Sequence, residues 1–238
     1  MKSRIRLSVG LPTWENSDII QLSLLSLERQ INPPPYELIV YECGNSCTIE
    51  FWNRWSKRLR NAGCKKVVYL NSPTRIALSL KWRAMANEAQ GEHFLLWASD
   101  DYSPPERLQK TLEADADWYN CRYGYSYHTK KKKLIMFDKG ENVNKGGYQM
   151  SCRTSLFKQL PKEEKWKYVD SWIFNNIDVK KIVNDQEVYA SVNTTGANSI
   201  SKSRGDYFDK TIYPFNPTDK TIRDIGIPID IVEMLINK

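Results

Sequence analysis

The sequence has no apolar run of membrane length and no secretion-signal core. Its first residues, Met1 to Arg6, are charged and pass directly into a strand pattern. These absences lead us to expect a cytoplasmic protein without a transmembrane segment. Cysteine is sparse, and its number is odd. Cys43, Cys47, Cys64, Cys121 and Cys152 show no framework spacing, which argues against a disulfide scaffold and for free thiols in a reducing compartment. Cys43 and Cys47 have no second Cys or His pair nearby, which argues against a structural zinc site. There is no internal repeat, and no Gly-, Ser- or Pro-rich linker to separate independent domains. A single domain over residues 1–238 is expected.

What is present is ordinary globular composition, 41% apolar and 26% charged, with an excess of positive charge, +7. That excess favours anionic partners: nucleotide phosphates, nucleic acid or an acidic membrane surface. Eight Trp and thirteen Tyr supply faces of the kind that line sugar or base sites, although most will be core. Two basic clusters stand out. One is the helix carrying Arg54, Lys57, Arg58 and Arg60; the other is the run Lys130 to Lys133. Either is a solvated face, or a patch that tracks the backbone of DNA or of a phosphorylated glycan.

The first half alternates short apolar runs with amphipathic ones. Strands are expected at Arg4 to Leu11, Tyr36 to Tyr41, Lys65 to Leu70 and Phe94 to Ala98. Helices are expected at Ile19 to Ile31, Glu50 to Ala62 and Ile76 to Gln90, with Asn16, Ser17 and Asp18 as candidate caps for the first. That order predicts an α/β fold, a mostly parallel sheet flanked by helices on both faces. Thr13, Glu42 and the pair Asp100-Asp101 all follow strands, so they should converge at one edge of the sheet. Adjacent carboxylates repel each other. A divalent cation with oxygen ligands is one remedy, and plain solvation of a turn is the other.

The second half is less regular. We expect a helix at Glu106 to Ala116, a strand at Asp117 to Tyr127, and its hairpin partner at Lys130 to Phe137. Short helices should occupy Thr154 to Leu160 and start again near Tyr168, and a strand-containing element should fall within Lys180 to Ser191. Thr194 to Arg204 reads as a polar loop, and Ile222 to Ile236 as an amphipathic tail.

Several of these stretches together resemble one family. Ile5 to Trp14 looks like the first strand and Pro-Thr turn of inverting, family-2-like nucleotide-sugar glycosyltransferases with the GT-A fold. Glu37 to Ser46 resembles their second strand, with Glu42-Cys43 where an Asp pair is usual. Ala89-Gln90-Gly91-Glu92, the strand after it and Asp100-Asp101 resemble the Ala-x-Gly-Glu block and the DXD motif. Pro104 to Leu108 matches the segment that follows. Asp170 falls near the family's catalytic base, with Val169 where an acid is common. No His follows His128, so a C-terminal His metal ligand is missing.

The resemblance implies a GT-A-like, Rossmann-like domain. Residues 1–110 would be the nucleotide-sugar-binding half and 111–238 a smaller mixed acceptor half. It implies a metal-dependent hexosyltransferase using a UDP-sugar and Mn2+ or Mg2+. Asp101 would ligate the metal, and Asp100 would lie near the ribose or sugar. Pro12, Thr13 and Glu42 would hold base and ribose, Lys81 and Arg83 would approach the phosphates, and Asp170 would be the base. Trp172 and Arg153 are candidates for the acceptor, and Asn193, Asn198 or Ser201 for closing over the diphosphate. Plainer roles stand beside these: Asp170 as a helix cap, Lys81 and Arg83 as a solvated face, Trp172 as core.

The acceptor would be a glycan; the alternative is a hydroxymethylated base in DNA, reached by flipping. A non-catalytic nucleic-acid-binding module is a further alternative, against which Asp100 and Asp101 argue. A nucleotidyltransferase would want a Gly-rich phosphate loop after the first strand, and Pro12-Thr13-Trp14-Glu15 does not supply one.

Overall fold

The structure is a computed structural model that describes residues 4–15, 17, 20–128, 133–138, 141, 150–166, 169–186 and 192–195. Asn16, Asp18, Lys130 to Lys132, Asn198, Ser201, Arg204 and the Ile222 to Ile236 tail lie outside the described residues.

The chain begins as read. β1 (Leu7–Trp14), α1 (Ile20–Glu28), β2 (Tyr36–Cys43), α2 (Ile49–Asn61), β3 (Cys64–Ser72), α3 (Leu78–Glu88) and β4 (His93–Leu96) alternate. The two-residue β5 (Asp101–Tyr102) and α4 (Arg107–Ala114) follow. Then come β6 (Trp118–Cys121), β7 (Tyr123–His128), β8 (Lys133–Asp138), β9 (Ser151–Arg153), α5 (Thr154–Phe157), α6 (Val169–Asn175), β10 (Ile182–Asp185) and β11 (Val192–Thr195).

Seven strands form one mixed, mostly parallel sheet in the order β10-β6-β9-β4-β1-β2-β3. The block β3-β2-β1-β4 is parallel throughout, and β9 runs antiparallel to both β4 and β6. The apolar runs of β1, β2 and β4 are continuous because both faces are covered, whereas the edge strand β3 is partly open. Leu7, Val9, Leu11, Leu38, Val40 and Leu95 pack with α1, α2 and Leu108 of α4. Ile39, Phe94, Leu96 and Trp118 pack on the other side with α3, α5 and α6. Gly91 lets the chain enter β4 against β1. A Cβ there would stand 2.5 Å from the backbone carbonyl carbon of Leu7.

The chain moves outward from β1 to β3 and then returns to place β4 on the other side of β1. That reversal is a topological switch point, where open α/β sheets bind ligands beyond the carboxyl ends of their strands.

Three expectations change. The strand expected over Asp117 to Tyr127 is two strands, because the chain leaves the large sheet at Arg122 and β7 joins a second sheet. That sheet has the order β5-β11-β7-β8. Thr194 and Thr195, expected in a loop, belong to β11, which pairs parallel to β7. The strand expected over Phe94 to Ala98 ends at Leu96, and Asp101 opens the separate β5, its backbone pairing with that of Asn193 across β5 and β11. No helix among the described residues is long and apolar enough to cross a membrane.

Candidate functional site

The segment before the aspartates is pinned on three sides. The Trp97 amide donates to the Gly10 carbonyl at 2.9 Å, Ser23 Oγ donates to the Ala98 carbonyl at 2.8 Å, and Arg107 donates to the Leu96 carbonyl at 2.9 Å. The segment after them is held by a residue just beyond α1: Gln30 donates to the Pro104 carbonyl at 2.8 Å and accepts from the Leu108 amide at 3.0 Å. Asp100 and Asp101 thus sit on a tip fixed from both ends, at the switch point. Asp100 is half-buried and Asp101 is buried.

Arg107 is buried beside this tip. It donates to Ser103 Oγ at 2.7 Å and lies 4.8 Å from the Trp97 ring centre. Burial pushes its guanidinium pKa down, opposed by Cys121, Tyr119 and the Asp101 carboxylate. Nothing in the sequence distinguishes Arg107 from an ordinary helix-face arginine.

Beside the aspartates, β1 and β2 end together, with Thr13 opposite Glu42 and Pro12 opposite Tyr41. Thr13 is buried, and its hydroxyl has no hydrogen-bond partner among the described residues. Its carbonyl accepts from Lys81 Nζ at 2.9 Å. Lys81 reaches over from α3 and also meets the Cys43 thiol; burial lowers its pKa. Lys81 is therefore not part of a solvated face. Arg83, two residues on, is half-buried, with Nη1 buried and without a hydrogen-bond partner among the described residues.

Glu42 turns inward. Oε1 accepts from Ser46 Oγ and the Cys47 amide, both at 3.0 Å, and Oε2 accepts from the Trp52 indole at 3.0 Å and from the Tyr69 hydroxyl. Burial, then this carboxylate, push the Tyr69 phenol up to about 12. The side chain staples the turn after β2, where Gly44 has φ +79°, onto α2. A cleft of about 390 Å³ opens beside that turn, bordered by Ser46, Thr48, Phe51 and Arg54.

Two further features escape a linear reading. Arg75 lies 3.7 Å from the Trp14 ring centre and 5.5 Å from that of Trp166, joining the β1 tip to the segment that leads towards α6. Ser79 fixes the same segment, donating to the Glu163 carbonyl at 2.6 Å and accepting from the Lys165 amide at 2.8 Å.

Asp170 is half-buried in the first turn of α6, and Trp172 packs partly buried against the second core cluster. Arg153 is not brought to this edge. It pairs in register with His93 at the start of β4 and binds Asp115 and Asp117, each at 2.9 Å.

Among the described residues, no group of three or more His, Cys, Asp or Glu could hold a metal on its own. The carboxylates present still fit a divalent ion of the kind shared between one or two protein carboxylates, water and substrate phosphates.

No protein-family profile matches the chain, and no curated protein matches it. Solved structures do. S. aureus TarS is 18% identical with a TM-score of 0.60, over 86% of this chain and 38% of that one. TarS 1-349 in complex with UDP-GlcNAc is 16% identical with a TM-score of 0.57, over 84% of this chain and 61% of that one. The mannosyltransferase PcManGT from Pyrobaculum calidifontis, in complex with GDP-Man and Mn2+, is 14% identical with a TM-score of 0.57, over 98% of this chain and 69% of that one. The chain therefore spans well under half of TarS and under two thirds of its 1-349 fragment. What is shared at these identities is the fold. The chain has the mixed α/β, GT-A-like architecture.

Proposed function

We propose that this chain is an inverting, metal-dependent glycosyltransferase of the family-2 type, taking a sugar from a nucleotide donor, UDP-linked in the first instance, to an acceptor hydroxyl. The observation that carries this reading is the placement of Asp100-Asp101 on a pinned tip at the switch point, beside Thr13 and Lys81. The fold shared with structures holding UDP-GlcNAc and GDP-Man supports it.

The roles follow from the chemistry. Cleaving the donor leaves negative charge on the departing diphosphate. A divalent ion at Asp101, Mn2+ or Mg2+, would stabilise that charge when bound. Lys81, held behind the β1 tip at low exposure, adds a fixed positive charge that water screens poorly. Pro12 and Thr13 face the nucleoside, and the unpartnered Thr13 hydroxyl is ready to accept or donate there. Glu42 acts on the nucleoside through the turn that it staples. Asp100 lies near the ribose or sugar, and Arg83 approaches the phosphates. Asp170 removes the proton from the acceptor hydroxyl as the new bond forms, and in-line attack inverts the anomeric centre. Trp172 follows that base two residues on in α6, on a different face of the helix.

The sequence suggests a glycan acceptor. A second reading, transfer to a hydroxymethylated base in DNA, is favoured by the exposed cations Arg54, Lys57 and Arg60 on α2. The test is a panel of sugar nucleotides scored for nucleoside diphosphate release, with and without glycan and hydroxymethylated DNA acceptors. Turnover of none of them, with folded protein and Mn2+, would remove the enzyme reading.

A further inference from the structure

Helix α2 buries Trp52, Trp55 and Leu59 and turns its opposite side to solvent. That side carries Arg54, Lys57 and Arg60, and exposed Lys65 continues the row at the start of β3. Among the described residues, none of the four forms an ion pair with a carboxylate. Arg58 on the same helix is different: it clasps Glu28, with Nε donating at 2.8 Å, and stacks 4.1 Å over Trp55. Glu50, exposed one turn before Arg54 on the same face, is the only acid on α2, so three cations there meet a single carboxylate.

We propose that this face is a docking surface for duplex DNA. Charge complementarity selects a polyanion, and the rest of the face selects which one. It exposes no aromatic platform, since Trp52 and Trp55 are buried and Phe51 is half-buried, so bases of a single strand have nothing to stack on. A sulfated or phosphorylated glycan brings many ring hydroxyls, and the face offers them little besides Asn53 and Asn61. A duplex presents regular phosphates that need only cations. Arg54 to Arg60 span roughly 9 Å of helix at 1.5 Å per residue, and Lys65 lengthens the row. At its N-terminal end α2 meets the turn stapled by Glu42, so bound DNA would run past the candidate site. The inference deepens the DNA reading of the acceptor, but binding is measured without turnover, so either can fail alone.

The experiment is fluorescence anisotropy with a labelled 30-bp duplex at 50 and 200 mM NaCl. Three or four neutralised phosphates predict a loss of affinity of about 40- to 150-fold between the two salt concentrations. The variant R54Q/K57Q/R60Q should lose at least about tenfold in affinity and flatten the salt slope by about 3. The control K162Q/K180Q, which changes exposed lysines elsewhere, should bind like wild type. Hydrogen exchange on the wild-type protein gives a second readout, with protection of residues 54–61 when duplex is added. No duplex binding at 50 mM NaCl would overturn the proposal. So would an unchanged triple variant together with unprotected 54–61, or tighter binding of heparin or single-stranded DNA than of duplex.

Discussion

The ammonium of Lys81 donates to the carbonyl oxygen of Thr13 at 2.9 Å, so a cation from α3 holds the last turn of β1 from behind. The ion is buried, and no carboxylate pairs with it among the described residues. Burying an ammonium without a counter-ion is costly, and an apolar side chain of similar length removes that cost at the expense of one hydrogen bond to the Thr13 carbonyl. Lys81→Met should therefore keep or raise the Tm. Its affinity for UDP should fall several-fold, because the diphosphate loses a weakly screened positive charge. Thermal melts and calorimetric UDP titration read the two effects separately; unchanged UDP affinity would release Lys81 from the donor site.

Glu42 satisfies four donors at once. Glu42→Gln removes the charge and puts an amide N–H₂ where two donors converge. We expect a loss of roughly 1–3 kcal/mol, the cost of leaving buried donors unmade. Tyr69→Phe should cost less, and the double variant less than the sum, because both changes act on one hydrogen bond. Urea unfolding of the three variants measures this coupling.

His93 gives the fold an acid weakness. Burial, then the Arg153 charge, lower its pKa, with Asp115 opposing. Below the ordinary value of about 6.5 the unfolded chain therefore binds more protons than the native one. Stability should fall as pH drops through that value towards the lower native pKa. Asp115 and Asp117, held low mainly by Arg153 and by the Lys181 amide respectively, add stability above about 4 that is lost below it. His93→Gln should flatten the profile below about pH 6.5 and leave the carboxylate limb. A variant that melts with the wild-type pH dependence would assign the weakness elsewhere.

Asp170→Asn should spare UDP binding and reduce transfer by a hundredfold or more, the usual scale for a lost general base. Single-turnover transfer beside UDP titration measures the split. Equal rates would move the base to another residue.

The first half of the fold was legible because local signals agreed: each apolar run was a strand, covered on both faces in β1, β2 and β4 and partly open at the edge in β3, and each amphipathic run was a helix. Pro12 looked like the end of β1, yet the strand runs on to Trp14. Beyond Gly10 it is paired with β2 alone, and a proline is tolerated where one side of a strand is open. Lys81 and Arg83 read as one basic feature, but residues two apart on a helix do not share a face. Their different burial follows from that. The break at Arg122 was hidden, because aromatic residues continue across it. The Trp14–Arg75–Trp166 stack was also hidden, since the end of β1 and two remote loops meet there and no periodicity marks the meeting. Arg153 looked like any basic candidate until the antiparallel register of β9 carried it to the far end of β4.

The central claim is that the Asp100-Asp101 tip is a donor-metal centre. Its most direct test is calorimetric titration of UDP into the protein with Mn2+ and with EDTA, for wild type and Asp101→Asn. The account predicts tight UDP binding only with Mn2+ in the wild type, and loss of that metal-dependent gain in the folded variant. UDP binding that is indifferent to Mn2+, or a variant that keeps the full gain, would contradict it.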